Sequence, residues 1–325
     1  MSHTLSPAVG TTSRHGFLLV VLAALCWGTS GFSGKIVADR TGLGPLDIAW
    51  HRMAIGAVVL LIGFTLTRRR RAAETAEMVP TLTRGTAIRL VLVAAGLGAY
   101  QLAYFAAVAA AGVSIATLVA LGLAPLLIAV GATVLGHGRP DRATVVALVV
   151  ALVGLVLLVG ISAGADSGTT VVLGALLAVG SALGYAVVTL AGAGVPAGIP
   201  VALAGFAGGA LLLTPVALAT GLRFTTDPVA LLVLLYLGAV PSALAYRMFF
   251  SGLRSVPGAV ASIVTLLEPL TATALATAFL GERLSPGALA GGLLVLAAVA
   301  GLYLRRMGDS NSRGVAPNPL SKRAP

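Results

Sequence analysis

The chain keeps returning to one unit, an apolar stretch about twenty residues long that ends in a short polar break. Such stretches fall at residues 16–38, 45–66, 88–110, 113–136, 142–161, 170–191, 197–220, 228–252, 256–280 and 286–305. A hydrocarbon layer about 30 Å thick needs roughly 20 residues of helix, and it offers no water to backbone amides, so only helices or closed barrels cross it. Barrel strands would be half as long and would alternate. The sequence therefore specifies an all-α integral membrane protein of ten transmembrane helices. Composition supports this: 58% of the 325 residues are hydrophobic and 10% charged, against roughly 25% charged in soluble domains. Aromatics make up only 5%, so the apolar content is Ala, Leu, Val and 41 glycines, the small residues of close-packed membrane helices. The first stretch is too long for a secretory leader and has no clear small-residue cleavage site, so it is expected to stay in the protein.

A net charge of +11 would suggest nucleic acid in a soluble protein. Here the basic residues sit at helix ends and in tails, with no basic stripe interleaved with aromatics, so no nucleic-acid partner is expected. With the N-terminus inside, the inner segments hold Arg14, Arg68 to Arg71, Arg84, Arg89, Arg139, Arg142, Arg254 and a basic tail, while the outer loops hold only Arg40, Arg223 and Arg283. That bias predicts a multi-pass protein of the cytoplasmic (inner or plasma) membrane with both termini cytoplasmic. Residues 1–13 and 308–325 are polar and are expected to be disordered cytoplasmic tails.

The chain also repeats itself. A shift of 144 residues aligns Leu123 with Leu267, Pro125 with Pro269, Leu126 with Leu270, and Ala132-Thr133 with Ala276-Thr277. Two halves follow, residues 14–161 and 170–305, with five spans each. An odd number of spans makes the second half cross in the opposite sense, which is an inverted-topology repeat, and such repeats bind solute near the midplane between two rocking bundles.

Candidate chemistry is sparse. Glu268 falls near the middle of the ninth span, where a charge costs at least about 2.5 to 3.5 kcal/mol. A water-filled cavity, a basic partner or protonation could offset that, and both a substrate or proton site and a structural ion pair remain open. Arg247 in span eight is the best basic candidate; it lies nearer the inner turn than Glu268, a gap that the length of an arginine could close. Pro269 removes a backbone donor, so a kink near Leu266 is expected, and Pro125 would do the same in the first half. In span three Tyr100 and Tyr104 share a face, and Gln101 should point into the bundle. Tyr185 and Tyr246 could add ring surface, although tyrosines also gather in interfacial belts. Asp47 and His51 are four apart and could form a hydrogen-bonded pair, which makes His51 a secondary candidate for proton sensing. Gly28, Gly31 and Gly34, with the pairs Gly180/Gly184, Gly205/Gly209 and Gly287/Gly291, read as helix-packing positions. They permit a homodimer but serve equally within one bundle.

No enzyme signature is present. His3, His15, His51 and His137 have no metal spacing, the lone Cys26 reads as packing and allows no disulfide, and there is no phosphate loop or nucleophile elbow. No cofactor and no metal are expected.

The run "SVPGAVASIVTLLEPLTATALATAFLGERLS", with "CWGTSGF" and Arg52 early in span two, resembles the EamA domain of the drug/metabolite transporter superfamily. The resemblance implies two EamA repeats, ten helices and a central cavity for a small-molecule substrate, in a carrier embedded in the lipid bilayer that exports amino acids, related metabolites or drugs. Importers and lipid-intermediate flippases share the fold. Trp27 and Gly28 match the family's Trp-Gly, Arg52 its span-two arginine, and Glu268-Pro269 and Gly281-Glu282 its two signatures. The second signature is degraded in the first half, at His137-Gly138-Arg139. Arg247 is foreign to the pattern and suggests an anionic or carboxylate-bearing solute.

Overall fold

A computed structural model describes residues 12–74, 82–136, 138–159, 169–280 and 285–314. Among them, ten helices are long and apolar enough to cross a membrane: α1 (Arg14–Thr41), α2 (Pro45–Arg69), α3 (Arg84–Gly112), α4 (Ile115–Val134), α5 (Arg142–Val159), α6 (Thr169–Ala193), α7 (Val201–Ala219), α8 (Pro228–Gly252), α9 (Gly258–Phe279) and α10 (Pro286–Arg305). Each lies within a few residues of an apolar stretch. Helix continues beyond the apolar part of α10 as far as Gly314.

Local chemistry sets the ends. Thr83 and Asp227 cap α3 and α8 by accepting the backbone N–H of Thr86 and Ala230, and Pro228 occupies the first turn of α8, where no backbone donor is needed. Between α3 and α4 the chain turns at Gly112, with φ 80° and ψ 164°, a conformation that a side chain would resist.

The helices pair in a pattern that a two-fold axis between the halves produces. Helix α1 packs on α8 and α9, and its counterpart α6 packs on α3 and α4. Helix α2 meets α8 as α7 meets α3, while α2–α7, α4–α9 and α5–α10 pair with their own equivalents. The halves are therefore interlaced rather than juxtaposed.

Lipid is as apolar as leucine, so association rests on close packing of small residues. A Cβ on Gly291 would lie 2.5 Å from the Gly154 carbonyl oxygen, and one on Gly154 would lie 2.7 Å from that of Gly291, so α5 and α10 touch through their backbones. Gly96 and Gly184 do the same for α3 and α6. Gly28 is tightly packed, but Gly31 and Gly34 face open space, so only the first of the three serves as a packing position.

The two prolines behave differently. Helix α4 runs through Pro125 with regular helical dihedrals, contrary to expectation, whereas α9 is interrupted between Val264 and Leu267. Helix α8 holds an irregularity that was not expected, a π-helical turn over Gly238–Leu244 with Pro241 at its centre.

Candidate substrate site

The break in α9 follows from one missing hydrogen. Pro269 has no N–H to give the Thr265 carbonyl, so the chain tightens there. The Glu268 N–H donates to the Thr265 oxygen at 2.9 Å and the Leu266 N–H to the Ile263 oxygen at 3.1 Å. Helix resumes at Leu267, which leaves Glu268 in the first turn of a half-helix. Unpaired amides and the helix dipole favour a carboxylate at that end. The kink expected near Leu266 is thus present, and it places the acid where its charge is best tolerated.

Helix α1 crosses at this break. A Cβ on Gly28 would stand 2.4 Å from Thr271 Cβ and 2.8 Å from the Glu268 carbonyl oxygen, so only glycine lets the two backbones meet. The neighbouring Trp27 is buried, with its ring 4.8 Å from Tyr246 and 5.1 Å from Phe249. Tyr246 meets Phe206 at 4.9 Å, Tyr185 stacks on Phe249 at 6.1 Å, and Tyr100 lies 5.9 Å from Tyr185. Trp27, Tyr100 and Tyr185, far apart in sequence, therefore join one aromatic group. Phe206 and Phe249 complete it, and nothing in the sequence distinguished them from other apolar residues.

Several polar atoms in this region are buried without a hydrogen-bond partner: the indole Nε1 of Trp27, the hydroxyls of Ser30 and Ser181, and that of Tyr185. An unsatisfied buried polar group costs about 1–3 kcal/mol. Gln101 is buried beside Tyr100, as its polarity required. Tyr104 serves α3–α4 packing instead, with its hydroxyl 2.8 Å from the Thr117 hydroxyl and its ring against an alanine-rich cluster.

The arginine that turns into the bundle is not the one expected. Arg247 is exposed on α8, pointing out of the bundle while its neighbours Tyr246, Phe249 and Phe250 point in. Arg52 on α2 turns inward instead and reaches α8 one turn from the buried Tyr246. Its Nε donates to the Ser242 hydroxyl at 3.1 Å, and no contact within 4 Å joins it to Glu268. Both side chains are half-buried.

His51 is also placed differently from expectation. Its Nδ1 donates to the Asp47 backbone carbonyl at 2.8 Å, not to the carboxylate. The Asp47 carboxylate accepts the Gly44 N–H at 3.1 Å and the Arg223 N–H at 3.3 Å, with the Arg223 Nε at 3.5 Å. Beside it, Arg40 grips Asp227 with two donors at 3.0 and 2.9 Å. These contacts tie the α1–α2 end of the first half to the α7–α8 loop of the second. The Arg40 hydrogen bond and the Ala230 N–H hold the Asp227 carboxyl down at about 2. Gly281, Glu282 and His137 lie outside the described residues.

Ten interlaced membrane helices, one of them broken beside a half-buried acid, make this a polytopic membrane protein with polar groups inside its bundle. The chain belongs to the EamA-like transporter family, whose profile matches residues 14–160 and 172–304, one copy in each half. It is similar to the uncharacterized transporter YwfM of Bacillus subtilis, 30% identical over 86% of this chain and 93% of that one. It is also similar to the uncharacterized inner membrane transporter YicL of Salmonella typhimurium, 23% identical over 89% and 95%. One crystal structure superposes with a TM-score of 0.74, covering 90% of this chain and 97% of its own at 21% identity, a likeness of fold. The protein is a multi-pass membrane transporter.

Proposed function

We propose that this transporter exports small polar metabolites, amino acids or related compounds above all, from the cytoplasm by alternating access, with both termini inside. The observation that carries this reading is the pair of separated charges. Glu268 at the break in α9 and Arg52 on α2 are both half-buried within the helix bundle, and no contact within 4 Å pairs them. Two half-buried opposite charges that do not neutralise one another are costly in a bilayer. A solute with an amine for Glu268 and a carboxylate for Arg52 satisfies both. The Trp27 N–H can only donate, so it suits an acceptor on the same solute, and the rings suit an apolar side chain. Interlaced halves that can rock about this point supply the alternating access.

The test compares metabolites inside and outside cells that express the wild type, Glu268→Gln, Arg52→Gln or Arg247→Gln at matched membrane levels. Export of a dipolar solute class should be lost in the first two variants and kept in Arg247→Gln. Export that persists in Glu268→Gln would remove Glu268 from the working cycle, and accumulation inside the cells would reverse the direction.

A further inference from the structure

Arg52 stands two turns into α2, and side chains on a helix lean toward its N-terminus. An arginine so placed ordinarily snorkels its charge to the nearest interface. Here it does not, and the reason lies on another helix. Pro241 cannot donate to the Leu237 carbonyl one turn back, and α8 widens there into its π-helical turn. In a π-turn a carbonyl meets the residue five on, which for Leu237 is Ser242, and the Ser242 hydroxyl also donates to that carbonyl at 2.8 Å. That bond uses the only proton of the Ser242 hydroxyl, so toward Arg52 the hydroxyl can act only as an acceptor, and the Arg52 Nε–H donates to it at 3.1 Å. Ser242 is fully buried.

The register of this contact is enforced by packing. Gly56 lies one turn beyond Arg52 on the same face of α2. A Cβ there would fall 3.2 Å from Ser242 Cβ and 3.3 Å from the Gly238 carbonyl oxygen, so the π-turn presses on α2 beside the arginine. Because Ser242 takes the donor at the elbow of the guanidinium, the two terminal nitrogens stay available. Arg40 makes a useful contrast, since it spends its Nε and a terminal nitrogen together on Asp227.

We propose that Ser242, set by the Pro241 π-turn, is a positioning residue that holds Arg52 in the solute site with its terminal nitrogens free for a solute anion. The proposal rests on the reading of Arg52 and Glu268 as that site. It assigns a role in transport to an irregularity of α8 that would otherwise be only a defect.

The first measurement needs no solute. In lipid nanodiscs, protein labelled with 15N-arginine gives an Nε–H signal that is assigned to Arg52 by its loss in Arg52→Lys. In Ser242→Ala that proton should exchange with solvent at least about tenfold faster, the factor expected when one hydrogen bond to a charged group is lost. Ser242→Thr, which keeps the hydroxyl, should restore it. Ser242→Cys keeps the shape but accepts poorly, and it serves as the second variant should the alanine protein not fold. Unchanged exchange in Ser242→Ala or Ser242→Cys overturns the proposal. The second measurement follows a 13C-labelled amino-acid mixture in proteoliposomes. Ser242→Ala should raise the half-saturating concentration about tenfold with the maximal rate held within about twofold, and Ser242→Thr should recover it. A lower maximal rate with unchanged half-saturation contradicts positioning. If the wild type moves none of the mixture, the cargo reading fails, and the exchange measurement alone decides the role of Ser242.

Discussion

Replacing Gly28 with alanine tests whether α1 and the break in α9 are locked together by backbone contact. The added Cβ would meet Thr271 Cβ at 2.4 Å, Thr271 Cγ2 at 2.8 Å and the Glu268 carbonyl oxygen at 2.8 Å. Carbon atoms rest near 3.5–4.0 Å, so the helices must part by roughly 1 Å. The Glu268 oxygen belongs to the backbone at the break and cannot turn away as a side chain would. Overpacking of this kind costs about 1–3 kcal/mol. Alanine also gains up to about 1 kcal/mol over glycine in helix propensity, so the net change alone is ambiguous. Gly31→Ala resolves this, because Gly31 lies on the same helix with nothing within 4 Å of its Cβ position. It receives the propensity gain without the clash. The difference between the two variants should therefore be about 1–3 kcal/mol whatever the propensity term. Thermal denaturation of both proteins in one detergent measures it, and transport by Gly28→Ala should fall as Glu268 is displaced. Equal stability of the two variants would refute the close approach of α1 to α9, and with it the account of how Trp27 reaches the site.

Two further outcomes follow from the same geometry. Asp227 is a carboxyl with a depressed pKa, so its contact with Arg40 is fully present above the ordinary carboxylate range and is lost only as the pH falls through about 2. Hydrogen exchange of the Ala230 amide should thus be unaffected between pH 7 and pH 4 once corrected for intrinsic rates, while Asp227→Ala, which removes the capping acceptor, should quicken it at every pH. Tyr185→Phe removes a buried hydroxyl that has no partner, so melting temperature should hold or rise, while the half-saturating solute concentration increases. A clear loss of stability would mean that the hydroxyl is bonded within the protein.

Much of this architecture was legible as pattern. Helix length against bilayer thickness gave the ten spans, and the Pro269 signal gave the break in α9, because a missing N–H acts on the turn directly before it. Gln101 was placed correctly because an amide in lipid has few alternatives to the interior. Where expectation and structure part, the missing information is rotational or long-range. Counting along α8 brings Arg247 within an arginine's reach of Glu268, but position along a helix does not say which face a residue occupies, and Tyr246 beside it takes the inward one. Pro125 and Pro269 look equivalent in sequence, yet only α9 breaks, because proline fixes what is lost and the surroundings decide how the helix responds. Gly31 and Gly34 carry the same spacing as Gly28 but meet no helix.

The sequence by itself determined the solvent, the number of crossings, the doubled plan and the presence of an acid that lipid would not tolerate. Those are properties of segments, set by transfer free energies and by local hydrogen bonding. Only the tertiary structure decided which arginine turns into the bundle, how a π-turn in α8 puts Ser242 against Arg52, and which rings close around Trp27. These depend on how helices from opposite halves cross. The crossings are fixed by contacts between small residues far apart in the chain, for which a single sequence carries no local signal.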